Sequence, residues 1–366
     1  MFDMSLKILI YGAGAIGRGF LAPYLHRHNM RISFVDANRE LINQMKLRKS
    51  YKTAFTDNGD YKITDVIIDK SYYYGEEEHI DDYDIVFSCV GPNNCYNLAE
   101  RFKKARTVIS CENDDSTVIK LRKLSGNDNI FFGIPDVITS NTASEELLKQ
   151  DTLMTVSEQG ILVLEKGNYV LPEEISQVGQ NELRMHWFCK LFIHNAPHAI
   201  LAYLGWLRGY QFIHEAMDDA DISEVVVGSI SEITDGLVGS RYATKEFAEA
   251  YKHKELSRFR NKLLFDPITR VAREPIRKIG KDNRIILGMR LAIFNGILTK
   301  YTAIGAKAAL IYDNPNDKEA VYLQSLRESV GDAEVLEKYS GIEKYDPLSQ
   351  FIINQDLSIF MNGRLR

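Results

Sequence analysis

Residues 8–20 read ILIYGAGAIGRGF, an apolar strand pattern that runs directly into Gly12, Gly14 and Gly17 and then into a helical pattern. No other stretch constrains the chain as tightly. Glycine at 12 permits a tight turn, glycine at 14 lets backbone approach a pyrophosphate, and glycine at 17 lets a helix pack close to a strand. Ala15 and Ile16 stand at the mouth of that helix, where free N–H groups and the positive end of the dipole suit phosphate. The next strand pattern, RISFVDA, ends in Asp36, 19 residues beyond Gly17. A carboxylate there can accept from both ribose hydroxyls and repels a 2′-phosphate, so NAD is favoured over NADP, with Arg39 the nearby feature that points the other way. A later strand end, FSCVGP, places Val90 and Gly91 as a backbone wall beside the cofactor.

Beyond this junction the pattern changes once. Up to about Leu164, short β-branched runs alternate with amphipathic stretches: RISFVDA, KITDVIID, DIVFSCVG, RTVIS, NIFFGI and LMTVSEQGILVLE. Their nearly continuous apolar character predicts a parallel sheet covered on both faces. From about Asn181 the period is helical, as in ISEVVVGSISEITDGLVG and RIILGMRLAIFNGILTK. The expected fold is α/β, with a Rossmann-like doubly wound domain over residues 1–180 and a mostly α-helical domain over 181–366. GNYVLPEE (Gly167 to Glu174) is the expected linker. The acidic run Tyr72 to Asp84 reads as a solvated turn.

Charge and cysteine usage exclude several classes. The formal net charge is −5 without a sustained basic block, which argues against nucleic acid or an anionic membrane as partner. Cys89, Cys95, Cys111 and Cys189 show no paired spacing, so no zinc site or disulfide framework is expected, and a cytoplasmic setting fits. No export signal or membrane span is expected.

The helical half opens on KLFIHNAPHAILAYLG, Lys190 to Gly205. On an α-helical wheel with Lys190 at zero, His194 falls near roughly 40°, His198 near roughly 80° and Asn195 near roughly 140°. The opposite face, with Leu191, Phe192, Ala199 and Ala202, is apolar. Pro197 removes an N–H, so the Ile193 carbonyl loses its usual partner and a bend is expected. Taken singly, a lysine or histidine on a helix is usually solvated or held by an ordinary hydrogen bond. Together the set matches what alcohol oxidation by NAD needs. A lysine can act as general base if its amine is uncharged, and an amide and a neutral imidazole can hold an alkoxide.

These residues resemble a known family. Lys190-x4-Asn195-x2-His198 is similar to the signature of the polyol-specific long-chain dehydrogenases, the mannitol dehydrogenase family, and most similar to its branch acting on mannitol 1-phosphate. YGAGAIGRGF, SCEN (Ser110 to Asn113), the Lys190 helix and RVAREPIRK (Arg270 to Lys278) carry the resemblance in order along the chain. Ala196-Pro197 stands where relatives usually have threonine-glycine, Trp187 where some have glutamate, and Val137 where an arginine is common. The resemblance implies a metal-independent, NAD-linked interconversion of mannitol 1-phosphate and fructose 6-phosphate. It implies Lys190 as base, Asn113 and Asn195 as the amide pair on the alkoxide, His198 on the substrate oxygen, and a supporting role for Asp136 in IPDVIT.

Arg270, Arg273, Arg277 and Lys278 fall at i, i+3, i+7 and i+8, so a continuous helix would line three arginines on one stripe. Spacing alone leaves a phosphate site and a solvated face open, and the resemblance favours phosphate. A sugar or polyol phosphate is the expected small-molecule partner, for a monomer or homodimer. Other readings are a hexuronate or unphosphorylated polyol dehydrogenase, a β-hydroxyacid dehydrogenase, and a non-catalytic NAD-binding regulator.

Overall fold

Strand β1 (Lys7–Tyr11) is buried at four of its five positions because it lies in the middle of a sheet with helices on both faces. The computed structural model describes residues 5–77 and 79–361. The strands that follow are β2 (Arg31–Asp36), β3 (Ser50–Asp57), β4 (Asp60–Ile67), β5 (Lys70–Tyr73), β6 (Ile85–Ser88) and β7 (Val108–Ser110). After them come β8 (Ile130–Asp136), β9 (Thr139–Ser140), β10 (Thr155–Ser157), β11 (Ile161–Glu165) and β12 (Gln177–Val178). Eight form one sheet in the order β12-β11-β8-β7-β6-β1-β2-β5, parallel except where β11 meets β8. The chain runs outward from β1 through β2 to β5, then returns to place β6 on the other side of β1. That reversal makes the carboxyl ends of β1 and β6 neighbours, the position at which open α/β sheets bind ligands.

A second sheet, in the order β4-β3-β10-β9, departs from the expected single parallel sheet. KITDVIID lies within and just after β4, which pairs antiparallel with β3 across Asn58-Gly59, both in left-handed conformations that fit a two-residue hairpin turn. LMTVSEQGILVLE is likewise two strands in two sheets. The chain changes sheet at Gly160, where a Cβ would lie 2.6 Å from Val137 Cβ and 2.7 Å from the Asp136 carbonyl oxygen. The helix after β1 packs on this second sheet: a Cβ on Gly19 would stand 2.2 Å from Thr139 Oγ1, and Ser157 Oγ donates to the Gly19 carbonyl at 2.8 Å. Beside it the buried Arg18 guanidinium donates to the carbonyls of Ala13 and Leu153, while Tyr51 Oη donates to the Arg18 carbonyl.

GNYVLPEE is not a linker. Tyr169 and Leu171 are core residues of the first unit, and Gly167 lies so close to the Phe131 ring that a Cβ would meet it at 2.4 Å. Apolar side chains in a turn-rich segment have closed it onto the sheet. In the acidic run, Tyr72 and Tyr73 belong to β5, and Glu77 is buried against Arg101 and Tyr11; Glu78 lies outside the described residues.

The described residues form two compact units. One reaches to Leu183 and takes in Leu263–Phe265; the other runs from Arg184 to Lys262 and resumes at Asp266. The second unit is helical, built around Ala196–Arg208, Ala220–Gly239, Arg284–Phe294 and Lys300–Leu310. Its helices approach closely where side chains are small: a Cβ on Gly236 would lie 2.7 Å from the Ala292 backbone. No described helix is long and apolar enough to cross a membrane.

Gly19→Val is expected to destabilise the first unit by about 1–3 kcal/mol, because the added methyls have no space against Thr139 and Ser157. Urea unfolding measures it, and unchanged stability would show that helix and second sheet do not hold this spacing.

Candidate active site

The glycine loop after β1 divides its tasks as the spacing requires. Gly12 has φ +100°, and a Cβ there would stand 2.6 Å from the Cys89 carbonyl oxygen, so both conformation and space demand glycine. A Cβ on Gly17 would lie 1.9 Å from the Gly12 carbonyl oxygen. Gly14 differs: a Cβ there meets nothing within 4 Å. Protein packing does not require that glycine, and the room in front of it is what a pyrophosphate would use. Ala15 and Ile16 begin the helical turn, and the Arg18 N–H closes back on the Gly14 carbonyl at 2.9 Å.

Asp36 is held in place by the same loop. Its carboxylate accepts from Ala13 N–H at 2.7 Å and Asn38 N–H at 2.8 Å. A carboxylate has about four acceptor positions, so two remain for ribose hydroxyls. Arg39 is turned onto the Tyr73 ring, 3.7 Å from its centroid.

Val90 and Gly91 form a wall beside the loop, but their N–H groups are committed. Both donate to the buried Glu112 carboxylate, at 3.0 and 2.8 Å, and Ser88 Oγ donates to it at 2.5 Å. The wall therefore offers surface to a ligand rather than donors. Burial raises the Glu112 carboxyl above its usual range, against the lowering effect of these three donors. Glu112 was not singled out in the sequence, although a charge inside SCEN at the end of an apolar strand was a signal for it. Asn113 follows it in the loop after β7, and Asp136 is buried at the end of β8.

The Lys190 helix is not a regular α-helix. Residues Cys189–Asn195 are π-helical, and the α-helix Ala196–Arg208 begins directly after them. This alters the expected geometry. With i→i+5 hydrogen bonds, residues four and five apart flank one line along the helix, so His194 and Asn195 both stand on the Lys190 side. Asn195, on the same half of the α-helical wheel as Lys190 but roughly 140° from it, thus comes closer to the lysine line. Pro197 falls in the first turn of the following α-helix, where a missing N–H is tolerated. All four polar groups are buried, Lys190 at 7% exposure, His194 at 5%, Asn195 at 8% and His198 at 6%, so a solvated face does not explain them.

Each histidine faces a buried carboxylate backed by an arginine. His194 Nδ1 is 2.5 Å from Glu255 Oε2, and Arg258 donates to Glu255 Oε1 at 2.5 Å. His198 Nε2 is 3.1 Å from Asp266 Oδ2, an ion-pair distance at an angle too poor for a formal hydrogen bond, while Arg270 holds Asp266 Oδ1. Both rings pack on Phe259, His198 stacked at 5.0 Å between centroids. Burial pushes the His198 imidazole down to about 4, with the nearby Asp266 only partly opposing it, so the ring is neutral at physiological pH. Burial works to raise the Asp266 carboxyl, but Arg270 and then His198 bring it below its ordinary value.

RVAREPIRK does not form the expected stripe. It is two short helices, Ile268–Ala272 and Pro275–Lys278, broken at Glu274, which has φ +60°. A residue preceding proline is disfavoured in the α conformation, and Glu274 leaves it. Arg270 is taken by Asp266 and Arg277 by Glu274, while Arg273 is exposed. Lys278 is buried and donates to the carbonyls of Val271 and Arg273; burial and then Arg284 hold its amine well below the usual lysine range. Two groups join this cluster: Arg284, which was not singled out in the sequence, and Tyr203, expected from the sequence to pack on the apolar face. Burial pushes the Arg284 guanidinium down to about 9, and its Nη2 and the buried Tyr203 hydroxyl have no hydrogen-bond partner. Unpartnered donors beside buried cations make a place for an anionic group. Among the described residues no cluster of three histidine, cysteine or acidic side chains could hold a metal.

Comparison with known proteins covers both units. The family model described as mannitol dehydrogenase Rossmann domain matches residues 6–127, and that described as mannitol dehydrogenase C-terminal domain matches residues 183–344. A mannitol-1-phosphate 5-dehydrogenase of Caldanaerobacter subterraneus subsp. tengcongensis is 29% identical, covering 95% of this chain and 97% of the relative. One from an Exiguobacterium species is 30% identical over 96% and 97%. Among solved structures, the Pseudomonas fluorescens mannitol 2-dehydrogenase complex with NAD and D-mannitol aligns with a TM-score of 0.77 at 17% identity, covering 96% of this chain and 91% of that one. A D-sorbitol dehydrogenase aligns with a TM-score of 0.71 at 19% identity, over 96% and 92%. At those identities the structural likeness concerns the fold.

A histidine held neutral in the fold makes folding weaker wherever the unfolded chain binds the proton instead. The loss begins as pH falls below about 6.5 and is complete near 4, and for His198 it amounts to on the order of 3 kcal/mol. His198→Gln is expected to flatten that part of the stability curve between pH 7 and pH 4, measured by urea unfolding. An unchanged slope would mean that the imidazole charges freely in the folded protein.

Proposed function

The chain belongs to the mannitol dehydrogenase family, and we propose that it is an NAD-dependent, metal-independent oxidoreductase interconverting mannitol 1-phosphate and fructose 6-phosphate. The observation that carries this reading is the buried π-helical face bearing Lys190, His194 and Asn195. Relatives that match almost the whole chain are named for the same reaction class.

In this reading Gly14, Ala15, Ile16 and Gly17 hold the cofactor pyrophosphate, and Asp36 accepts from the ribose hydroxyls. NAD, when bound, supplies the hydride acceptor. Lys190 Nζ accepts the hydroxyl proton of the substrate, which requires a lone pair on nitrogen when the alcohol arrives. The Asn195 and Asn113 amides donate to the oxygen as negative charge develops on it, the role of an oxyanion hole. His198 in its neutral form donates from one ring nitrogen and accepts at the other, so it can bind a substrate hydroxyl without adding charge. Because Lys190 handles the proton and amides handle the charge, no step calls for a metal.

The phosphate assignment draws support from the basic cluster in the helical unit. Arg284 and Tyr203 have donors to offer, Lys278 is buried next to them, and Arg273 and Arg277 lie in the same segment. Asp136 is assigned a supporting role near the substrate. A cytoplasmic monomer or homodimer, with no nucleic-acid partner, completes the proposal.

With NADH and purified protein, fructose 6-phosphate is expected to turn over while fructose, fructuronate and tagaturonate do not. Equal turnover of free fructose would remove the phosphate from the assignment. Lys190→Ala is expected to lower kcat by about 10²–10⁴-fold with little change in NADH affinity; a variant that keeps wild-type kcat would remove the lysine from its role.

A further inference from the structure

A base that works inside protein must also dispose of its proton. If Lys190 is that base, as the reading above has it, each alcohol oxidised leaves an ammonium in a site nine-tenths closed to water. A route from Nζ outward is then part of the turnover. The pair formed by His194 and Glu255 has no role in the chemistry assigned so far. Glu255 comes from the helix Lys245–Phe259, 61 residues along the chain from His194, and is wholly buried. Its second oxygen is held by Arg258, with Lys254 Nζ at 3.6 Å. Two apolar side chains would fill the same space without the cost of desolvating charge.

The geometry defines what the pair can do. A carboxylate on Nδ1 fixes the neutral ring with its proton on that nitrogen, leaving Nε2 as the basic position. It also stabilises the imidazolium when a second proton arrives, as the buried aspartate of a serine protease does. His194 stands on the Lys190 side of the π-helical segment. The other titratable ring against it is His198, 5.1 Å away between centroids, which already faces Asp266 with Arg270 behind it. Phe259 packs against both rings.

We propose that His194 takes the proton from the Lys190 ammonium, with Glu255 holding the imidazolium, so that the pair clears the base after oxidation and reloads it for reduction. The alcohol O–H bond breaks as Nζ–H forms, and the hydride carries its electron pair to the nicotinamide. The Nζ–H bond then breaks as an Nε2–H bond forms on His194, and that proton passes to water. Nothing is oxidised or reduced in the relay itself. His194 acts through Lys190, and Glu255 through His194, so both are positioning residues.

The test follows mannitol 1-phosphate oxidation in weakly buffered stopped flow, reading NADH by absorbance and proton release by an indicator dye. In the wild type the two signals should rise together. In His194→Gln the first turnover should form NADH at about the wild-type rate, while proton release lags and steady-state kcat falls by about 10-fold or more. Substrate KM and NADH affinity should stay near wild type. Glu255→Gln, which keeps shape and a hydrogen-bond acceptor, should show the same lag, and it carries the test if His194→Gln does not fold. Proton release in step with NADH at wild-type kcat overturns the relay. So does an equal slowing of both signals, which marks a purely structural part. Lys190→Ala separates the two levels: if it retains turnover, the base assignment fails, whereas a dead Lys190→Ala beside a fully active His194→Gln removes the relay alone.

Discussion

The chemistry proposed for this chain depends on one local irregularity, the change of hydrogen-bond spacing over Cys189–Asn195. In a regular α-helix Lys190 and Asn195 share one half of the helix but stand roughly 140° apart. The wider ladder brings Asn195 closer to the lysine line, while His194 stands on that side in either geometry. The same irregularity accommodates Pro197, because the α-helix restarts at Ala196 and the proline falls in its first turn. Burying a lysine, an asparagine and two histidines is costly unless their polar atoms are met. Glu255 meets His194, Asp266 stands at ion-pair distance from His198 without a formed hydrogen bond, and arginines in turn meet both carboxylates. The polar core of the helical unit is thus a set of charge chains anchored on one helix.

The first unit rests on backbone contact instead. Gly12 and Gly17 leave no room for a side chain, because the turn, the helix and the end of β6 touch through main-chain atoms. Asp36 and Glu112 then hold the loop and the neighbouring strand end from two sides, each through backbone N–H groups. Gly14 alone in the motif faces open space, so packing does not account for it as it does for Gly12 and Gly17.

What could be read from the sequence was what local chemistry determines. The glycine spacing, Asp36 at the end of β2 and the shift from strand to helical period each depend on a few adjacent residues. The second sheet was missed although Asn58-Gly59 is a hairpin signal, because pairing β3 with β10 joins residues about a hundred positions apart. An α-helical period was assumed for the Lys190 helix, and nothing in KLFIHNAPHAILAYLG distinguishes an i→i+5 ladder beforehand. The arginine stripe failed where Glu274 precedes Pro275, a local signal that was present but outweighed by regular spacing. Glu255 and Asp266 could not be assigned to the histidines, since only the fold brings them together.

A crystal structure with NAD and mannitol 1-phosphate tests the central claim most directly. Lys190 Nζ and the Asn195 amide are expected within hydrogen-bond reach, about 2.6–3.2 Å, of the hydroxyl on the carbon facing the nicotinamide. A substrate hydroxyl held by other groups, with the lysine amine directed elsewhere, would contradict it.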